Sequence, residues 1–116
     1  MKPHGKVLAT AEEWIRSLPM NRQLALQILH DALPRLRQRF ALEDLAIFGS
    51  VARDEASADS DIDVLVTFEG PTRFRDFMGL QFELESLLDV RVDLVTSKAL
   101  RPALRPRIEQ DLIHVA

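Results

Sequence analysis

The chain has 116 residues, 47% of them hydrophobic and 28% charged, with 18 acidic against 15 basic side chains and a formal charge of −3. That length holds one domain, expected over residues 1–116 with 1–20 as a helical N-terminal extension, and the apolar content excludes a mainly disordered chain. No apolar run reaches the length of a membrane span, no secretory leader is visible, and the absence of cysteine excludes disulfides, thiol nucleophiles and cysteine-bound metals.

A cytoplasmic protein without a membrane partner is the simplest expectation. The acidic balance also weighs against a phosphate-backbone binder, so no direct nucleic-acid partner is expected.

In chain order, Thr10-Ala-Glu-Glu13 reads as a capping box that opens a short helix through Leu18, with Trp14, Ile15 and Leu18 on one side. Pro19 ends it. Asn21 can cap a longer helix in which Leu24, Ile28, Leu29, Ala32, Leu36 and Phe40 recur at helical spacing. Pro34 lies inside that pattern and predicts a kink or a local break.

Leu42 to Phe48 is an apolar strand ending at Gly49-Ser50, and Asp63 to Phe68 is a second strand rich in β-branched and aromatic residues. Gly70-Pro71 turns the chain into a third helix, capped by Thr72, whose apolar face carries Phe74, Phe77, Met78, Leu80, Leu84, Leu87 and Leu88. Arg91 to Thr96 is a third strand. Ser97 is expected to cap a last helix with Pro102 in its first turn, continuing to about Gln110, and Leu112 to Val115 reads as a short edge strand. The fold class is α/β (α+β), a small mixed β-sheet of three to four strands covered by helices.

The chemistry concentrates between Phe48 and Asp63. Side chains at i and i+2 of a strand share a face, so Asp61 and Asp63 project together while Ile62 and Val64 turn to the core. Asp93 sits likewise between Val92 and Leu94 on the next strand. A helical connection between these strands has the length of a parallel crossover, which would bring Asp93 beside the first pair. Three carboxylates on one patch repel each other, and no Lys or Arg alternates with them on these strands. An oxygen-only cluster that needs a counter-charge suits Mg²⁺ or Mn²⁺ rather than zinc.

Gly49 at the strand-to-helix turn lets backbone approach a phosphate, Ser50 offers a hydroxyl and an amide, and the following helix turns its positive end to the anion. Gly49 closes the first strand and Asp61 precedes the second. They meet only if those strands are antiparallel, in the order 1-2-3.

Taken singly, these residues have plainer readings. Asp61 and Asp63 fit solvated carboxylates at a strand edge, Ser50 a helix cap, and Arg53 either a structural ion pair or a phosphate contact. His30 and His114 have no partner pattern, the Phe and Leu stripe over 74–88 reads as core, and Arg35, Arg37 and Arg39 read as a solvated face.

The set GSVAR, six residues, SDIDVLV, then VDLVT resembles the DNA polymerase β-type nucleotidyltransferase superfamily. Within it, the set is most similar to the minimal nucleotidyltransferase (MNT) antitoxin family, over about Leu42 to Gln110. The resemblance implies a nucleotidyltransferase fold and transfer of AMP from ATP, with Gly49, Ser50 and Arg53 at the nucleotide. It implies that Asp61 and Asp63 bind two Mg²⁺ ions and that Asp93 ligates the catalytic one and helps deprotonate the attacking hydroxyl, so that Asp61, Asp63 and Asp93 are both the catalytic and the metal residues.

Members of that family act with a HEPN-domain ribonuclease toxin and modify a tyrosine on it, so a hetero-oligomer with such a toxin is implied. The family commonly has Gly after the Ala-Arg pair, where this chain has Asp54. A binding-only antitoxin, and a transferase acting on a small hydroxyl compound, are the alternatives.

Overall fold

The structure, a computed structural model, describes residues 21–56 and 60–115. The helix expected over Thr10 to Leu18 lies outside the described residues. The first described helix, α1 (Arg22–Phe40), begins where the Asn21 side chain accepts the Leu24 amide at 2.8 Å, satisfying one of the donors a helix start leaves open. It ends at Ala41, which takes a left-handed conformation at φ 53°. The expected break at Pro34 does not occur: α1 runs through it. Pro34 and His30 are both exposed, so water can serve the carbonyl that proline cannot, and buried Leu29, Ala32, Leu33, Leu36 and Phe40 hold the helix on both sides.

The remaining elements are β1 (Leu42–Phe48), α2 (Gly49–Ala52), β2 (Ile62–Phe68), α3 (Phe74–Leu88), β3 (Val92–Thr96), α4 (Arg105–Asp111) and β4 (Ile113–His114). They form a four-stranded mixed sheet in the order β3-β2-β1-β4. β1 runs antiparallel to β2 and to β4, while β2 and β3 are parallel across the α3 connection. The order, both polarities and the edge strand agree with the sequence reading.

Along β2, Ile62, Val64, Val66 and Phe68 are buried in one cluster with Leu29, Leu36 and Phe40 of α1 and Leu80, Leu84 and Leu88 of α3. Asp63, Leu65 and Thr67 alternate to the opposite face, where the Thr67 hydroxyl donates to Ser97 Oγ at 3.0 Å. Burying one large aliphatic side chain contributes about 1.5–3 kcal/mol, so this single layer of helix on sheet is the main source of stability.

Two helix boundaries and one apolar face differ from expectation. α3 is capped by Arg73, without a side-chain bond, rather than by Thr72. Phe74 is 80% exposed and Phe82 65%, so the stripe is narrower than its composition implied. At 100° per residue, Phe74 lies about 80° and Phe82 about 160° from Leu84, off the side that meets the sheet. The last helix starts at Arg105, with Pro106 in its first turn, and not at Ser97. Thr96 Oγ1 accepts the Ala99 amide at 3.2 Å and buried Leu100 anchors a run of turns, so the chain there folds locally before a helix can begin.

Candidate active site

The site forms where the C-terminal end of β1 meets the N-terminal ends of β2 and β3. The β2–β3 register sets Asp63 directly against Asp93, and the β1–β2 register sets Phe48 against Asp63. The start of β3 is pinned by α3: Glu85 Oε2 accepts the Val92 amide and Gln81 Nε2 donates to the Val92 carbonyl, both at 3.0 Å. The Ile62 amide donates to the Arg91 carbonyl at 3.0 Å, which fixes β2 against the same point. Two acidic residues 30 positions apart are thus held in lateral register by backbone and by neutral or anionic side chains, with no cation between them on the strands.

Burial first, then the Asp93 charge and its hydrogen bond, then the charge of Asp61, push the Asp63 carboxyl from its ordinary 3.8 up to about 6, while Arg53 opposes the shift. Asp61, exposed just ahead of β2, therefore acts on the same carboxyl. Asp93 is exposed on the open side of the sheet.

Gly49 is the first residue of α2 and has φ +76°. A Cβ there would overlap Asp63 Oδ2 and stand 3.0 Å from its Cγ. Two requirements, a left-handed backbone and room for a carboxylate, leave glycine as the one residue that meets both. Ser50 follows, half-buried, at the start of the turn.

The turn after α2 closes as a Schellman motif: the Glu55 amide donates to the Ser50 carbonyl at 2.8 Å and the Asp54 amide to the Val51 carbonyl at 3.0 Å. Its left-handed position is Asp54, at φ 62°. Asp tolerates that region better than most residues, which lets Asp54 stand there. The Arg53 side chain is held by two carboxylates: its Nε donates to Glu55 Oε1 at 3.0 Å and an Nη to Asp111 Oδ2 at 2.6 Å. Those two bonds, Glu55 first, hold the guanidinium more firmly protonated than usual. Asp111 is the member of this arrangement that sequence reasoning missed. It lies 58 residues from Arg53 at the end of a short helix, and no spacing or motif marks it.

A nucleotidyltransferase domain profile matches residues 29–115 of the chain. The chain belongs to the nucleotidyltransferase domain family. Among its relatives, the protein adenylyltransferase MntA of Thermococcus cleftensis is 39% identical over 80 residues, 69% of this chain and 81% of the relative. A solved structure of a candidate minimal nucleotidyltransferase is 39% identical and superposes with a TM-score of 0.69, covering 81% of this chain and 95% of that one. A chain from the solved complex of tri-AMPylated Shewanella oneidensis HEPN toxin with MNT antitoxin shares the fold at a TM-score of 0.58 and 22% identity, over 78% of this chain and 71% of that one.

Whether this nucleotidyltransferase's residues suit a divalent cation can be judged from the donors. Among the described residues no group of three or more His, Cys, Asp or Glu side chains that could hold a metal ion is found. Mg²⁺ does not need one: it is commonly held by one or two carboxylates, with waters and substrate phosphates completing the shell. The in-register pair Asp63 and Asp93 offers hard oxygen donors whose mutual repulsion a cation would relieve, and the fit is good on that ground. Among the described residues of this nucleotidyltransferase, no helix is long and apolar enough to cross a membrane.

Proposed function

We propose that the protein is a Mg²⁺-dependent adenylyltransferase antitoxin of the cytoplasm, where ATP is at hand, and that it transfers AMP from ATP to a tyrosine hydroxyl of a partner HEPN ribonuclease toxin. The observation that carries the reading is the juxtaposition of Asp63 with Asp93 in register, with the Gly49 backbone against the Asp63 carboxylate. The family's adenylyltransferase relatives support the chemistry, and the likeness to an antitoxin fold agrees with the partner.

Gly49 and Ser50 are assigned to the triphosphate: glycine removes the side chain that would bar approach, and Ser50 adds hydroxyl and amide donors. Asp61, Asp63 and Asp93 are assigned to Mg²⁺. When bound there, two such ions would supply charge neutralisation for the entering and leaving oxygens of an in-line displacement. The chain's own part is geometric and acid–base. The sheet register fixes Asp93 beside Asp63, and Asp93 accepts the tyrosine proton at its carboxylate as the phenolic oxygen bonds to the α-phosphorus. The bond from that phosphorus to the bridging oxygen breaks, and pyrophosphate leaves. With its carboxyl pushed up to about 6, Asp63 is mostly ionised at neutral pH but at a cost, which a bound cation would offset.

The test is transfer of label from ATP to a purified HEPN partner in the presence of Mg²⁺. The partner is expected to gain the mass of AMP on tyrosine, and Asp93→Asn is expected to abolish labelling while the complex still forms. A partner mass inconsistent with AMP, or full labelling by Asp93→Asn, refutes the proposal.

A further inference from the structure

Arg53 is tied from two directions. Glu55 belongs to the same turn and, with its side chain 65% exposed, moves with it. Asp111 comes from α4, on the far side of the sequence, and its side chain is only 20% exposed against 44% for Arg53. A guanidinium carries five N–H donors in one plane. Nε is committed to Glu55 and one Nη hydrogen to Asp111, which leaves three donors. Arg53 also closes the helical turn that Gly49 and Ser50 begin, its amide donating to the Gly49 carbonyl at 3.0 Å.

An arginine on a flexible stem loses much rotamer freedom when it grips an anion, and two charge-assisted bonds that select the rotamer beforehand remove that cost from the binding step. Glu55 cannot do this alone, since it shares the turn whose orientation must be fixed.

We propose that Asp111 is a positioning residue for the nucleotide: it anchors Arg53 from α4 so that the remaining guanidinium donors meet phosphate oxygens of the bound triphosphate. The inference rests on the nucleotidyl-transfer reading above. It gives α4, which lies outside the glycine-serine and aspartate motifs, a share in nucleotide affinity.

Calorimetric titration of the full chain with a non-hydrolysable ATP analogue and Mg²⁺ tests it. Asp111→Asn is expected to weaken binding about five- to tenfold, with the KM for ATP rising in parallel and kcat for AMP transfer staying within twofold. Asp111→Glu, which keeps the charge, is expected to restore at least half of the lost affinity. Combined with Arg53→Ala, Asp111→Asn is expected to add nothing, because the two act as one unit. Absence of analogue binding by the unaltered protein overturns this inference and the transferase reading together. Unaltered binding in Asp111→Asn, or in Arg53→Ala should the first variant fold poorly, overturns this inference alone.

Discussion

Asp63→Asn is expected to make the metal-free protein more stable at neutral pH, although it removes a site residue. The Asp63 carboxyl is pushed from 3.8 up to about 6 by burial and by Asp93 and Asp61. Its charged form is therefore disfavoured in the folded state relative to the unfolded one. For an acid shifted upward, that cost is fully present above the folded value, and it disappears as pH falls through about 6 toward 3.8. At about 1.4 kcal/mol per pH unit the gap has an upper bound of about 3 kcal/mol, and the partial exposure of the group screens this to about 1–2 kcal/mol.

Asparagine keeps the shape, carries no charge and can donate to Asp93. The assay is urea unfolding of both proteins between pH 4 and 8, without divalent ions. Asp63→Asn should be the more stable by about 1–2 kcal/mol at pH 7.5, with the difference closing by about pH 4. Adding Mg²⁺ and an ATP analogue should stabilise the unaltered protein selectively. A variant no more stable than the parent at pH 7.5, or a difference that does not shrink on acidification, would show that the carboxylates are not in conflict as described.

Gly49→Ala is expected to lower stability by about 1–2 kcal/mol through its left-handed backbone, read as a drop in Tm. It should cut AMP transfer about a hundredfold, because the new methyl displaces the Asp63 carboxylate, and a misplacement of about 1 Å can cost that much. Asp54→Gly removes a non-glycine residue from the left-handed position of the Schellman turn and should raise stability by up to about 1 kcal/mol, the gain being reduced by the added freedom of glycine when unfolded. Thermal melts of the two proteins check it. Asn21→Ala deletes the cap of α1 and should cost about 1 kcal/mol in chemical denaturation, with AMP transfer at 25 °C unchanged.

The strands and their polarity were legible because β1, β2 and β3 are short apolar runs whose few carboxylates must face outward. Once Gly49 is asked to meet Asp61, and Asp93 to lie beside Asp63 across a helical connection, an antiparallel β1–β2 pair and a parallel β2–β3 pair follow. What could not be read arises from contacts between distant segments. Arg53 and Asp111 meet only through tertiary packing, so the motif left open whether Arg53 faces a carboxylate or a phosphate. Phe74 and Phe82 look like core by composition, and only the packing of α3 leaves them outside. Ser97 has the character of a cap, yet Thr96 and Leu100 build turns first, a competition between local bonds that periodicity does not record.

Because Asp63 and Asp93 lie on neighbouring parallel strands joined by a whole helix, their pairing is a long-range event during folding. The antiparallel β1–β2 half, with Gly49 against Asp63, can form from a nearer stretch of chain. Closing the crossover is expected to be the slower step, since more loop entropy is lost before the contact repays it. A nascent or partly opened molecule would hold Gly49 against Asp63 without Asp93 beside them, and on the proposed mechanism transfer would begin only with the closed crossover.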